Sequence, residues 1–480
     1  MTQHSTDIAE LRAGMHGLPP LTARLEPWMT QLLQDHPRCS ELIDIYGSPV
    51  NVLHPHVLPR NAAELVEAGR AHGVDVRVFF ARKANKGLCF VDAAAAARHG
   101  IDVASRRELQ QVLGRGVEPH RVILSAAVKP QDLLELAVDA GVLISVDTVA
   151  EMSRIQAIAE KSGRPARVVP RIAPDPELLP PTRFGELANV WVKNLPPAGG
   201  PVQLVGVHMH LHGYSEADRR VALADALTVV DAANAAGHSV EFVDMGGGVP
   251  MSYLDSAEEW EAFHVKPRDT WKDDPLHNLY PFHQAPVRGG WLGEFLSGEV
   301  RGCGEDSAHT STVAEALQRR NLRLHMEPGR SILDGGGVIL ARVAFVKKRS
   351  DGENLIGLEM NRTQCRTTSD DIGLDPILVR SRATAGAPEE GEGGEARGGV
   401  AAMNGFLVGA YCIEDEVLVR RRMEFPHGVR PGDIVAIPNT AGYFMHILES
   451  ASHQIPLARN VWVDEAGAIH PDDIDGLPAR

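Results

Sequence analysis

The sequence predicts an α/β chain: a (β/α)8 TIM barrel followed by a mostly β C-terminal domain. Three observations predict it. From about residue 70, short apolar runs alternate with helix-length segments, the pattern of βαβ units and a parallel sheet. Eight strand-like runs can be counted, the number a closed barrel requires, over about 260 residues, a usual barrel length. After residue 336 the alternation stops, and β-rich runs follow one another without regular helices between them.

The expected barrel strands are Val76–Lys83, Ile101–Ser105, Arg121–Ala126, Leu143–Asp147, Arg167–Ile172, Leu204–His210, Ser239–Gly246 and Leu322–Pro328. Expected helices between the early ones are Gly87–His99, Arg106–Leu113, Gln131–Ala140 and Thr148–Lys161. Residues 251–318 interrupt the pattern between the seventh and eighth strands. This stretch holds Trp260, Trp271 and Trp291, and an insertion on the C-terminal side of a barrel strand lies near where active sites form. The β domain is expected to include Val338–Lys348, Leu355–Met360, Val417–Arg422 and Ile434–Pro438. Within it, Ala383–Val400 is rich in Gly, Glu and Ala and reads as a solvated loop. The expected division is therefore 1–60 as an N-terminal segment contributing to the β domain, 61–335 as the barrel, and 336–480 as the β domain.

Composition narrows the function. The 480 residues carry 48 Lys+Arg against 63 Asp+Glu, a net charge of −15. That balance argues against nucleic acid or an anionic membrane surface as main partner. No apolar run approaches the roughly 18 residues of a membrane helix, and the first residues show no signal-peptide pattern. Five scattered cysteines (39, 89, 303, 365, 412) without a CxxC pair argue against a disulfide framework or zinc-thiolate site and fit a reducing cytoplasm. Nine of the 48 basic residues are lysines, so few can supply a reactive amine.

Functional residues of a barrel sit at the C-terminal ends of its strands. Read in order, those ends offer Lys83, Asp102, Ser105, Arg171, His210, the loop Gly246-Gly247-Gly248, and Glu327-Pro328-Gly329-Arg330. A lysine at a barrel mouth can be desolvated enough to form a Schiff base, or it can be a surface lysine at a strand end. Three glycines let backbone amides approach a phosphate, or simply make a tight turn. A buried glutamate can keep a pyridine nitrogen protonated, or close a strand with an ion pair. His208, His210 and His212 alternate along one strand. Two of them could hold a metal, one could stack on a flat cofactor, or each could be a satisfied core histidine.

Taken together, these motifs resemble the fold-type III pyridoxal-phosphate decarboxylases, the diaminopimelate, ornithine and arginine decarboxylase family, over residues 40–465. Ala81-Arg82-Lys83-Ala84-Asn85 resembles the Schiff-base lysine motif. Asp102-Val103-Ala104-Ser105 with Glu108 resembles the second-strand element, and Arg171 with Arg183-Phe184-Gly185 the region beside the cofactor. His210 falls on the ring-stacking histidine, Gly246, Gly247 and Gly248 on the phosphate loop, and Glu327, Gly329 and Arg330 on the pyridinium carboxylate and phosphate contacts. Cys412, in Tyr411-Cys412-Ile413-Glu414-Asp415-Glu416, resembles the catalytic cysteine. Ala441-Gly442-Tyr443 resembles the family's Gly-Ala-Tyr, whose tyrosine contacts phosphate. Two places depart from the pattern. His210-Leu211-His212-Gly213-Tyr214-Ser215 displaces the usual serine, and Ile413 stands where an acidic residue often holds a distal amine.

The resemblance implies an alanine racemase-like barrel, pyridoxal 5'-phosphate as cofactor and decarboxylation of an amino acid. It also implies a homodimer in which the β domain of one subunit completes the other's site. Lys83 would anchor the cofactor, Glu327 would stabilise the electron-rich ring, and Cys412 would return a proton to Cα. Arg362 and Arg366 are candidates for a distal carboxylate of the substrate, with Glu414 or Asp415 as alternatives to the missing acid. No metal is expected. Other readings are a racemase on the same scaffold, a non-catalytic cofactor-binding homologue, and a metal-dependent hydrolase built on His208 and His210.

Overall fold

The computed structural model describes residues 8–273, 279–301, 310–367, 372–380 and 401–476. The expected loop Ala383–Val400 and Cys303 lie outside them. Eight parallel strands form the barrel: β1 Val76–Ala81, β2 Gly100–Val103, β3 Val122–Leu124, β4 Leu143–Val146, β5 Ala166–Ala173, β6 Gly206–Met209, β7 Phe242–Asp244 and β8 Arg323–Met326. Each pairs in parallel with the next along the chain, and β8 pairs with β1, so the ring is closed. The strands are buried on nearly every residue because helices cover the outside and side chains fill the inside. At the N-terminal end the interior is plugged by Phe79, Ile123, Leu143, Val169, Val205 and Phe242.

Local chemistry sets where the covering helices begin and end. The Ser105 side chain accepts from the Glu108 amide and starts helix Arg106–Gly114; Thr148 caps Val149–Ser162 in the same way. Gly163, at φ +68°, ends the latter in the left-handed region. Ser105, read from the sequence as a strand-end functional residue, is thus occupied as a helix cap.

The second sheet is built on the long strand β9 Gly337–Lys348. It pairs antiparallel with Val50–Leu53, with β10 Asn354–Leu358, and with Ile434–Pro438. Val50–Leu53 also pairs in parallel with Arg459–Val463, and His16–Gly17 pairs antiparallel with the strand Val417–Phe425. Residues from both ends of the chain therefore share this sheet. Val50–Leu53, Ile377–Val379, Met403–Val408 and Arg459–Val463 were not anticipated from the sequence. They are three to six residues long, too short to show a period of their own.

The described part of the 251–318 insertion is structured. Helix Ala257–Val265 and helix Arg288–Ser297 both belong to it, and the latter packs on helix Val57–Ala71. Thr270 bridges to Arg421, so the insertion also reaches the second sheet.

Candidate active site

The C-terminal ends of the barrel strands converge on a cleft of about 250 Å³. Lys83, His210, Gly247, Gly248, Glu327, Gly329, Arg330 and Tyr443 all line it. Lys83 lies in a short 3-10 turn, Arg82–Ala84, directly after β1. Its Nζ donates to Oδ2 of Asp102 at 3.0 Å, and Ser125 Oγ donates to the other carboxylate oxygen. Asp102 is fully buried on β2, opposite Ala81 in the register. Burial disfavours the charge on Lys83, but the Asp102, Tyr443 and Glu327 charges outweigh it and hold the amine above its ordinary pKa.

Opposite Lys83, the glycine loop follows β7. Gly246 and Gly248 adopt φ of +68° and +74°. A Cβ at Gly246 would sit 2.3 Å from His210 Nδ1, and one at Gly247 would sit 3.0 Å from the Glu327 carbonyl oxygen. No side chain fits at Gly246, and one at Gly247 would be tight against the backbone. The Gly247 amide donates to His210 Nδ1 at 3.2 Å, so this nitrogen is the unprotonated one. Burial first, then the nearby Lys83 and Arg171 charges, hold the His210 pKa well below its usual value, which agrees with a neutral ring. Arg219, buried in helix Glu216–Ala235, pins the loop from behind. It donates to the carbonyls of Gly213, Ser215 and Gly247 at 2.9, 3.0 and 3.1 Å.

Glu327 follows β8. Both of its carboxylate oxygens are buried without a hydrogen-bond partner among the described residues. Burial, reinforced by the Asp102 and Asp244 charges, raises its pKa well above the ordinary carboxylate range. Asp244 is a third buried acid, with one oxygen accepting from the Gly246 amide at 2.8 Å and the other unpartnered. Burial, with Asp102 adding to it, pushes Asp244 up to about 7. Asp244 and Arg219 were not recognised as site residues from the sequence. For Asp244 a signal existed, an acid at a strand end directly before the glycine loop; for Arg219, in mid-helix, none did.

Arg330 is held by an aromatic cage. Its guanidinium lies 4.0 Å from the centroid of Tyr280 and 5.1 Å from that of Tyr443, and it donates to the Tyr253 hydroxyl at 2.9 Å. Tyr253 and Tyr280 belong to the insertion, which therefore supports Arg330 from behind the cleft lining. Tyr443 stands at φ +74°, and its amide donates to the Ala84 carbonyl at 2.8 Å. That bond ties the C-terminal part of the chain to the turn that carries Lys83. A Cβ at Gly329 would come within 2.8 Å of the Tyr443 hydroxyl oxygen.

The other sequence-predicted residues lie apart from the cleft lining. Arg171 is buried under Phe184, 4.1 Å from the ring centroid, with Arg183 at 4.0 Å from the same centroid. Arg362 donates to Asp415 at 3.2 Å, and its amide donates to Glu416 at 2.8 Å. Arg366 donates to the Val417 carbonyl at 2.9 Å. Cys412 and Glu414 are exposed in the turn between Met403–Val408 and Val417–Phe425. The single chain thus brings Lys83, His210, Glu327, Arg330 and Tyr443 together but leaves Cys412 outside.

Two chemical uses suit this geometry. One nitrogen each of His208 and His210 and one oxygen of Glu327 lie within 4.8 Å of one another, a spacing that could hold a metal. A metal accounts for neither the glycine cradle nor Lys83. An aromatic phosphate accounts for both. The Gly248 amide with Arg330 and Tyr443 suits the phosphate, and the two Glu327 oxygens, unpartnered among the described residues, suit a protonated ring nitrogen.

Comparison with known proteins agrees. Residues 62–268 match the pyridoxal-binding domain of the pyridoxal-dependent decarboxylases. The uncharacterized protein y4yA of Sinorhizobium fredii is 27% identical over 98% of both chains. The diaminopimelate decarboxylase of Methanothermobacter thermautotrophicus is 29% identical, covering 88% of this chain and 89% of its own. The crystal structure of diaminopimelate decarboxylase from M. jannaschii in complex with L-lysine superposes with a TM-score of 0.67, at 18% identity and 90% coverage of each chain.

Proposed function

We propose that the chain is a fold-type III pyridoxal-phosphate-dependent decarboxylase, that it removes the α-carboxylate of an amino acid as CO₂, and that it works as a homodimer in the cytoplasm. The observation that carries this reading is the pair of unpartnered, buried Glu327 oxygens facing the same cleft as Lys83. A carboxylate left without a partner is costly, and a protonated ring nitrogen is the group that would compensate it.

Lys83 would anchor the cofactor through its amine, and Asp102 holds that amine in place below the cleft. Gly248, Gly329, Arg330 and Tyr443 would hold the phosphate. His210, fixed by the Gly247 amide, would pack its neutral ring against the cofactor face. Pyridoxal phosphate, when bound, supplies the sink for the electron pair that CO₂ leaves behind. Glu327 would keep the proton on the ring nitrogen that makes this sink effective. Cys412 Sγ would return a proton to Cα, reaching the cleft of the partner subunit. Its exposure in the single chain, away from Lys83, supports that arrangement. Ile413 after the cysteine favours a substrate other than one held by an acid at that place, and Arg362 and Arg366 would face its far end.

The test is direct. Purified protein supplied with pyridoxal phosphate is reduced with borohydride, digested and mapped by mass, and a panel of amino acids is screened for CO₂ release. The expected result is label on Lys83 and turnover of at least one amino acid. Protein that carries a transition metal on His208, His210 and Glu327 and takes no label on Lys83 would overturn the reading.

A further inference from the structure

The opposite end of the barrel carries a second depression, of about 690 Å³, that the decarboxylase reading does not use. Arg77 on β1 and Arg323 on β8 begin the strands whose other ends lead to Lys83 and Glu327. The six-residue strand Val76–Ala81, about 20 Å long, runs between them, so the two clefts are distinct.

The depression has an apolar floor and a cationic rim. Phe79 and Phe242 of the barrel plug form the floor together with His325, whose ring stacks on Phe242 at 3.7 Å and 11°. Five guanidiniums line the cavity against two carboxylates, Asp75 and Glu241, on a chain whose net charge is −15. Asp75 accepts from Arg77, and Glu241 from Arg323. Arg167, at the start of β5, has no carboxylate partner among the described residues. His325 is 5% exposed, and its Nδ1 is buried without a hydrogen-bond partner. Burial first, then the charges of Arg323, Arg77 and Arg167, hold the His325 pKa well below its usual value.

A concentration of positive charge over aromatic rings, in an otherwise acidic molecule, is the complement of an oxyanion with a flat apolar body. We propose that the N-terminal mouth of the barrel binds a small aromatic phosphate or carboxylate. Arg167 and Arg323 meet the anion, and the apolar lining of the depression meets the ring. Such a ligand is an effector and not a substrate, because Lys83 lies at the other end of the barrel. Its role as an effector rests on the decarboxylase reading; its binding at this mouth does not.

The experiment is calorimetric titration of the full chain, in parallel as purified and after treatment with pyridoxal phosphate and borohydride followed by desalting, so that it can be read whether or not Lys83 takes the label. Phenyl phosphate, benzoate and inorganic phosphate are the probes, and comparing the first two tells whether phosphate or carboxylate is preferred. Saturable binding of phenyl phosphate or benzoate, tighter than inorganic phosphate, is expected. It should weaken about tenfold or more in Arg167→Gln and in Arg323→Gln, the loss expected from removing one charge-assisted hydrogen bond. Arg167→Gln removes a half-buried side chain without a carboxylate partner, so its fold is expected to persist, and circular dichroism checks this. No saturable binding of either aromatic probe would overturn the proposal, and so would binding that Arg167→Gln and Arg323→Gln leave unchanged.

Discussion

Nε2 of His208 lies 3.8 Å from Oε2 of Glu327, beyond hydrogen-bond reach, and neither atom has another partner among the described residues. His208 is turned away by its other nitrogen, which shares a 2.6 Å hydrogen bond with Ser145 Oγ. The carboxylate is therefore left open toward the cleft instead of being satisfied within the protein. A site that keeps such a group is poised for a ligand at the expense of the empty protein's stability.

Glu327→Gln should accordingly separate stability from function. The cofactor-free variant should be more stable than the parent by about 1–3 kcal/mol at neutral pH, since an ionisable group no longer has to be buried unpaired. Decarboxylation should fall on the order of 10²-fold with the ring-nitrogen partner gone. Denaturant melts of the cofactor-free proteins and CO₂ release by the loaded ones check the two halves.

Asp244 predicts a pH dependence with a definite sign. Its folded pKa is raised to about 7, above the unfolded value of 3.8. Between those values the folded state binds more protons than the unfolded one, so this group's contribution to stability falls as pH rises. It is fully present below about pH 4 and gone above about pH 7. In cofactor-free protein, Asp244→Asn should flatten the stability slope across that window, as measured by urea midpoints at successive pH values.

Arg219 touches three carbonyls behind the glycine loop and lines no part of the cleft. Arg219→Lys cannot satisfy them in the same planar geometry. The expected outcome is a loss of about 1–3 kcal/mol in stability together with weaker cofactor binding, read by absorbance titration. Cofactor affinity equal to the parent's would show that the loop holds its shape without the arginine.

The cage on Arg330 can be dissected at Tyr280. Tyr280→Phe keeps the ring face and should bind cofactor about as well as the parent. Tyr280→Leu removes the cation–π contact, a loss of about 0.5–2 kcal/mol, and should raise the cofactor dissociation constant by a factor of about 2 to 30. Equal behaviour of the two variants would mean that the ring does not orient the guanidinium.

Cys412→Ala should leave cofactor binding unchanged and lower turnover by about 10²–10⁴-fold, the range for loss of a positioned proton donor. Mixing this variant with a Lys83→Ala protein should restore part of the activity. Only a mixed dimer joins an intact Lys83 to an intact Cys412, so the absence of any recovery would argue against sites shared between subunits.

The sequence by itself determined the parts that are local. Alternating apolar runs are enough to specify eight strands, because a barrel strand's partners are its neighbours in the chain. Lys83, the Gly246–Gly248 loop and Glu327 to Arg330 were legible for the same reason: each is a strand end with its own short signature. The tertiary structure decided what depends on distant segments meeting. It placed Asp244 and Asp102 near Glu327, so that their charges add to burial in raising the Glu327 pKa. It brought Arg219 to the back of the glycine loop and carried Tyr253 and Tyr280 from the insertion onto Arg330. It paired Arg362 with Asp415, two residues read from the sequence as separate substrate contacts, and gave Ser105 to a helix cap. Local propensity and periodicity travel with the residues themselves. Desolvation, charge proximity and the satisfaction of polar groups belong to pairs, and pairs exist only once the chain has closed on itself.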